Sequence, residues 1–259
     1  MSELVHYDVD DGIATITLDS PHNRNALSRQ LVAELTEAVE RAIADRQVRA
    51  GVLAATGPAF CSGADLSERS SADVDPKVPG ADAPGGDPSA PQVMERLMTC
   101  DLPFVARVHG PVRAGGTGIV AACDVAIAAT SVTFAIPEVH LGLVPAIISI
   151  PISRVLDRRS LRRYFLTGEP FDAAEAARIG LVTQVTDDLD GALERVLGGL
   201  RKAHPAALRR TKQLLQEVEG IDATSGFQLA GELSAHWFAT ADAQEGIRAV
   251  LERRDPTWR

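Results

Sequence analysis

The sequence predicts an α/β fold over residues 1–188 and an all-helical region over residues 189–259. Short apolar runs alternate with helical patterns in the first part, which is typical of an α/β fold. From Leu189 onward the pattern is helical, with breaks at His204-Pro205, Gly220 and Ala241-Asp242. At 259 residues, 45% of them hydrophobic, the chain is long enough to bury a full core.

The first elements are a hairpin, a capped helix and a buried strand. Leu4–Val9 and Ile13–Leu18 flank a turn at 10–12, which indicates a β-hairpin. Ser28 is placed to cap a helix, and one apolar face of that helix recurs at helical spacing. That face consists of Leu31, Leu35, Val39 and Ile43. Gly51–Ala55 reads as a buried strand, and the glycine-bearing loop TGPAFCSGADL after it places the N–H of Ala64 at the head of the next segment.

Residues 67–91 have no periodicity and are rich in Pro, Gly, Asp and Ala. This composition predicts a mobile surface loop. Disorder without a role and a lid over a site are both compatible with it.

The stretch 104–145 organises the rest of the chain. A strand at Phe104–Val108 leads through a loop to the pair Gly115-Gly116, and Thr117–Ala122 fits a short buried helix. Two apolar runs, Val125–Ala128 and Thr133–Ile136, then precede a single acid, Glu138.

Three elements are expected after this stretch. Ala146–Leu156 predicts a helix with Pro151 in its first turn or at a kink. Phe171–Ile179 predicts a short helix capped by Asp172 and stopped by Gly180. Val182–Val185 then reads as a closing strand.

The glycine turn has three interpretations. Gly116, Gly118 and Ala121 fit the dinucleotide pattern G-x-G-x-x-A, although six residues separate the strand from the first glycine. Alternatively, the N–H of Gly115 belongs to an oxyanion hole, a set of donors that stabilises a charge forming on a substrate carbonyl. In the third interpretation the glycines only permit close packing of helix on sheet.

Composition excludes several classes of protein. The net charge is −9, and no basic run extends beyond Arg158–Arg163, so nucleic acid is not an expected partner. The N-terminus lacks a signal-peptide pattern, and no apolar run reaches the length of a membrane span. Cys61, Cys100 and Cys123 have no paired spacing, which favours a cytoplasmic protein without a metal site.

Five motifs together resemble the crotonase superfamily, the enoyl-CoA hydratase/isomerase family. They are PHNRNALS, AFCSGADL, HGPVRAGGTGIVAACDVAIAA, FAIPEVHLGLVP and FDAAEAARIGLVTQV, in the order and at the spacing of that family. The resemblance implies a spiral of ββα turns, a helical C-terminal trimerisation region and an acyl-CoA thioester as substrate. It implies a homotrimer or a dimer of trimers and no cofactor, because coenzyme A is part of the substrate. The apolar cluster Leu233, Trp237 and Phe238 suits either a subunit contact or packing within one subunit.

The resemblance also implies functional residues. The N–H groups of Ala64 and Gly115 match the oxyanion hole, and Glu138 matches a catalytic glutamate. Its apolar neighbours predict partial desolvation, which favours the neutral carboxyl. The positions matched to coenzyme A contacts are Arg24, Ala26, Ala64, Asp65, Leu66, Ser67 and Gly115.

Position 118 departs from the family. Hydratases of this family generally use two glutamates. Glu138 matches one of them, and Gly118 stands at the position of the other. Three hypotheses follow: a hydratase that acts with Glu138 alone, an isomerase that needs one base and no water, and an acyl-CoA binding protein without catalysis. The hydratase is the leading one. The segment EVHLGLVPAIIS, together with AGGTG, also resembles the branch that includes methylglutaconyl-CoA hydratases.

Overall fold

The computed structural model describes residues 2–68 and 89–258. The strands are β1 Val5–Asp10, β2 Ile13–Leu18, β3 Ala50–Ala55, β4 Phe104–Val108, β5 Val112–Arg113, β6 Val125–Ala129, β7 Thr133–Ala135, β8 Phe171–Asp172 and β9 Gln184–Thr186. The helices are α1 Arg29–Ala44, α2 Ser89–Thr99, α3 Gly115–Ala122, α4 Ala146–Val155, α5 Arg158–Thr167, α6 Ala173–Arg178, α7 Leu189–Lys202, α8 Pro205–Glu217, α9 Ala223–Phe238 and α10 Ala241–Glu252. No described helix is both long and apolar enough to cross a bilayer.

Two sheets form the body. One has the order β1-β2-β3-β4-β6-β9, in which the β1–β2 hairpin is antiparallel and the other pairings are parallel. The other has the order β5-β7-β8. Parallel neighbours need crossover connections, and these carry the helices that cover one face of the larger sheet.

Side chains alternate between the two faces of the larger sheet, as strand geometry requires. One face, with Leu53 and Phe104, contributes to the main core under α1 to α4. The other face, with Val52 and Val105, packs against Leu197 and other apolar residues of α7. Helix α7 therefore forms a layer of the body, whereas α9 has no buried residue.

The local expectations near the N-terminus and in the helical tail are confirmed. The hairpin forms, and the Ser28 side chain accepts a hydrogen bond from Leu31 N. The breaks after Leu189 separate α7, α8, α9 and α10, and the His204 ring accepts from Ala207 N at the start of α8. Asp172 caps α6 as expected, by accepting from Glu175 N.

Several boundaries differ from the predictions. Helix α3 begins at Gly115, two residues before the predicted start, and Phe171 belongs to a strand instead of a helix. The closing strand is Gln184–Thr186 instead of Val182–Val185. Pro151 is the sixth residue of α4, so the first-turn alternative is wrong. The strands at Phe171 and at Gln184–Thr186 are set by pairing with β7 and β6, which the local sequence pattern does not reveal.

The predicted loop 67–91 is too long at both ends. Leu66–Glu68 forms a 3₁₀ turn, and α2 begins at Ser89. The remainder of the predicted loop lies outside the described residues. Strand β5 and helix α5 were not predicted, because their segments are too short or too charged to show an apolar period.

Candidate active site

Two loops lie side by side at the start of α3. Arg113 N donates to Cys61 O at 2.9 Å, and Cys61 and Val112 form an isolated parallel bridge. A Cβ on Gly63 would lie 2.8 Å from the Ala114 Cβ, so only glycine permits this approach. Gly63 also has a φ of +91°, in the left-handed region that glycine favours. The loop after β3 and the loop after β5 are therefore held together.

Each loop presents an N–H group to the same space. Leu27 N donates to Gly63 O, and Asp65 N donates to Leu27 O, so the N–H of Ala64 points away from Leu27. Gly115 is the first residue of α3, where an N–H has no partner within the helix. Within the described residues, neither N–H donates to another group of the chain.

Ala114 sets the direction of the Gly115 N–H. Its φ is 48° and its ψ is −121°, a conformation that residues other than glycine rarely adopt. Backbone strain of this kind concentrates at functional sites, where the surrounding structure holds it in place. Here the hydrogen bond from Ala114 N to Ala135 O and the contact with Gly63 hold it.

Glu138 lies in a 3₁₀ turn over Pro137–Leu141. Gly142 closes this turn with a φ of 71°, and Leu143 N donates to the Glu138 carbonyl at 3.0 Å. The carboxyl oxygen Oε2 is buried and has no hydrogen-bond partner in the described part of the chain. Burial raises the pKa of Glu138 above its ordinary value of 4.5, because the charged form loses hydration. The expected desolvation is thus confirmed.

Ala64, Gly115 and Glu138 all line one cavity of about 290 Å³. Its other described lining residues are Leu27, Ser62, Leu66, Ala90, Met94, Ala114, Pro137, Leu141, Leu143, Val144, Pro145, Ala146, Ile147 and Ile148. Glu138 carries the one ionisable side chain among these described residues. The cavity thus combines two backbone donors, one carboxyl and an apolar wall.

Gly118 is not among the described residues that line the cavity. A Cβ there would lie 2.7 Å from Ile148 Cγ2 and 3.0 Å from both Met94 Cε and Met94 Sδ. A Cβ on Gly116 would lie 2.7 Å from the Cys61 Cβ. Gly116 and Gly118 therefore permit close packing, whereas Gly115 lines the cavity, where the oxyanion interpretation predicts it.

The residues matched to coenzyme A contacts divide into two groups. Ala64, Leu66 and Gly115 line the cavity. Arg24 and Ser67 are exposed, and Ala26 is buried. Asp65 accepts hydrogen bonds from Asn23 Nδ2 and from Ser67, which lower its pKa. Arg24, Ala26, Asp65 and Ser67 are not among the described lining residues, although each lies within three positions of one in the sequence.

Asn25, which was not predicted as a functional residue, supports the loop before Ala64. Asn25 is fully buried with a φ of 55°, and its side chain bonds to Ser20 N, Thr56 O and Ala59 O. Asparagine tolerates the left-handed region, so its place in PHNRNALS was a possible signal. Met94 and Ile148 were also missed, because neither carries a polar group that a motif would reveal.

The cysteines and histidines near these motifs have structural contacts. Cys61 is fully buried, which raises the pKa of its thiol to about 12. His109 Nε2 lies 2.9 Å from Gly57 O, and His140 Nε2 lies 2.6 Å from Thr167 O. The described residues contain no His, Cys, Asp and Glu group suited to holding a metal ion.

Comparison with known proteins gives consistent matches. The Enoyl-CoA hydratase/isomerase family model matches residues 8–259. The 2,3-dehydroadipyl-CoA hydratase of Escherichia coli is 28% identical, and the match covers 100% of this chain and 99% of that protein. An enoyl-CoA hydratase structure from Mycobacterium smegmatis superposes with a TM-score of 0.88 at 32% identity, covering 99% of both chains. Human enoyl coenzyme A hydratase domain-containing protein 3 superposes with a TM-score of 0.89 at 26% identity, covering 98% of this chain and 100% of that one.

The chain belongs to the enoyl-CoA hydratase/isomerase family. The crotonase-type α/β fold expected from the five motifs is confirmed by the superpositions over nearly the whole length. Members of this family act on acyl-CoA thioesters, which agrees with the pairing of backbone donors and a carboxyl in one cavity.

Proposed function

We propose that the protein is an enoyl-CoA hydratase that adds water to a 2-enoyl-CoA thioester with syn geometry. The observation that carries this proposal is the convergence of the Ala64 and Gly115 N–H groups with the Glu138 carboxyl on one cavity. The thioester oxygen would accept both N–H donors, and the Cα=Cβ bond would lie against Glu138. Coenzyme A enters as part of the substrate, and no further cofactor is needed.

The chemistry balances with a single carboxylate. Glu138 accepts a proton from water as the water oxygen bonds to Cβ, and the π electrons move to the thioester oxygen as an enolate. The two backbone donors stabilise this charge, each by about 3 kcal/mol judged from other oxyanion holes. Collapse of the enolate forms the Cα–H bond with the proton held by Glu138, which restores the carboxylate. A raised pKa suits both steps, because the carboxylate is a stronger base and the neutral acid persists nearer neutral pH.

The direct test is an assay with crotonyl-CoA, followed as loss of the conjugated enoyl absorbance. We expect turnover by the native protein and a loss of at least about 10²-fold in Glu138→Gln, which keeps the shape but removes the base. Glu37→Gln, on the exposed side of α1, is the matched control and should retain full activity. Equal rates for native protein and Glu138→Gln would contradict the proposal.

A second candidate is an enoyl-CoA isomerase. It is favoured by the presence of one ionisable side chain among the described cavity residues, because moving a proton between two carbons needs one base and no water. Supplying a 2-enoyl-CoA and a 3-enoyl-CoA in separate assays distinguishes the two reactions. A hydratase converts the 2-enoyl-CoA to a 3-hydroxyacyl-CoA and leaves the 3-enoyl-CoA unchanged, whereas an isomerase converts the 3-enoyl-CoA to a 2-enoyl-CoA.

We further propose that the protein is a cytoplasmic homotrimer or a dimer of trimers. Helix α9 has no buried residue, and Phe227 and Phe238 on it are 81% and 63% exposed. Large apolar surfaces of this kind are characteristic of subunit contacts. Sedimentation equilibrium would give the mass directly, and a monomer at micromolar concentration would contradict this assembly.

A further inference from the structure

The space beside Gly118 is filled by two apolar side chains from different helices. Met94 belongs to α2 and Ile148 to α4, and both helices pack against α3 and against each other. Both side chains are nearly fully buried, with exposures of 4% and 3%. Both also line the cavity that contains Glu138, whereas Gly118 is not among its described lining residues. Met94 and Ile148 therefore separate Gly118 from the substrate space.

Apolar side chains also form the outer part of the cavity wall. Leu141, Val144 and Ile147 line the same cavity and are 57%, 83% and 43% exposed, so they lie toward solvent. None of the described lining residues carries a positive charge. A carboxylate at the end of the acyl chain would lose hydration against the buried Met94 and Ile148, and it would share the cavity with the Glu138 carboxyl. Both effects oppose binding, because a buried carboxylate needs a cation or several donors.

We infer that Met94 and Ile148 are specificity-determining residues, which form the inner wall of the acyl pocket and select a neutral hydrocarbon chain over one ending in a carboxylate. This inference rests on the proposed function, since it concerns the acyl group of the same thioester. It argues against the carboxylated substrate that the segment EVHLGLVPAIIS suggests. It also gives Gly118 a definite role, because only a residue without a Cβ leaves room for both side chains.

The charge preference is tested by the binding of two unreactive thioesters. Butanoyl-CoA and succinyl-CoA have acyl chains of the same length, ending in a methyl group and a carboxylate respectively. Isothermal titration calorimetry on the full chain should give at least a tenfold lower Kd for butanoyl-CoA. Equal or tighter binding of succinyl-CoA would overturn the inference, and so would failure to bind either thioester.

The role of the wall is tested by changing its depth. Met94→Ala should lower the ratio of the Kd for decanoyl-CoA to the Kd for butanoyl-CoA by at least fivefold, because the shorter side chain opens the inner end of the pocket. Ile148→Val, a milder change, should shift the ratio in the same direction. Gly118→Ala should shift it the opposite way, because its Cβ pushes Met94 and Ile148 into the cavity.

Met98→Ala is the matched control. Met98 lies one turn further along α2 and is not among the described lining residues of this cavity, so its loss should leave the ratio unchanged. An unchanged ratio in both Met94→Ala and Ile148→Val would overturn the assignment. These titrations need no turnover. Discrimination without hydration of crotonyl-CoA would therefore contradict the proposed function alone, whereas hydration without discrimination would contradict this inference alone.

Discussion

Lys212 of α8 donates to Asp124 Oδ2 at 2.7 Å and thereby joins the helical tail to the segment between α3 and β6. The Lys212 side chain is almost fully buried, and its Nζ also donates to Leu97 O and Leu102 O. Asp124 Oδ2 in turn accepts from Phe104 N at the start of β4. One ammonium group thus connects α8 to α2, to the segment before β4 and to the segment before β6.

This contact predicts a large loss of stability in Lys212→Met. The substitution keeps the apolar stem but leaves two carbonyls and a carboxylate without their donor, which costs about 2–4 kcal/mol. Urea unfolding followed by far-UV circular dichroism would measure the change in the free energy of unfolding. The control is Arg195→Met, whose exposed ion pair with Asp188 should contribute less than about 1 kcal/mol. Equal losses in the free energy of unfolding would show that the buried Lys212 contact contributes no more than an exposed ion pair.

Replacement of Ala114 by glycine should separate stability from activity. Ala114→Gly removes the strain of a φ of 48°, for a net gain of about 1 kcal/mol in the free energy of unfolding. The same change should lower kcat, because the Gly115 N–H is then less rigidly directed. Ala114→Val should lose stability instead, since a β-branched side chain tolerates this region poorly. Thermal unfolding and the crotonyl-CoA assay together give both quantities, and a destabilised Ala114→Gly protein would contradict the prediction.

Glu138 should impose a pH dependence on stability. Its folded pKa is raised, so the folded state binds the proton more tightly than the unfolded state. The resulting stabilisation is fully present below the unfolded value of about 4.5 and is lost as pH rises through the folded pKa. Relative to the native protein, Glu138→Gln should therefore gain stability as pH rises above about 4.5. If the difference in the free energy of unfolding between the two proteins did not change with pH, this result would contradict a desolvated Glu138 carboxyl.

The pH profile of activity should reflect the same group. If Glu138 acts as the base for water, kcat/KM should fall on the acid side with an apparent pKa above 4.5. An acid limb at or below that value would indicate an ordinary, hydrated carboxyl.

The cysteines should resist alkylation in the folded protein. Burial raises the pKa of the Cys61, Cys100 and Cys123 thiols, so little thiolate forms at pH 8. Mass spectrometry after iodoacetamide treatment should show slow labelling of native protein and rapid labelling in urea. Fast labelling of native Cys61 would contradict its burial between the two loops of the site.

Local sequence patterns predicted much of the fold. The hairpin, the Ser28 cap and the Asp172 cap depend on residues a few positions apart, so the chain reveals them without tertiary information. Boundaries were less predictable, as the start of α3 at Gly115 and the strand at Phe171 show. At both positions, contacts with distant strands outweigh local preference.

The sequence by itself determined which groups are available for chemistry: a lone Glu138 among apolar neighbours and two glycine-bearing loops with free N–H groups. Only the tertiary structure decided that these groups converge. The bridge between Cys61 and Val112 brings together loops some fifty residues apart, and Met94 and Ile148 occupy the space beside Gly118 from two further helices. The physical reason is that a motif records spacing along the chain, whereas desolvation of Glu138 and the shape of the acyl pocket arise from packing between elements that are distant in sequence.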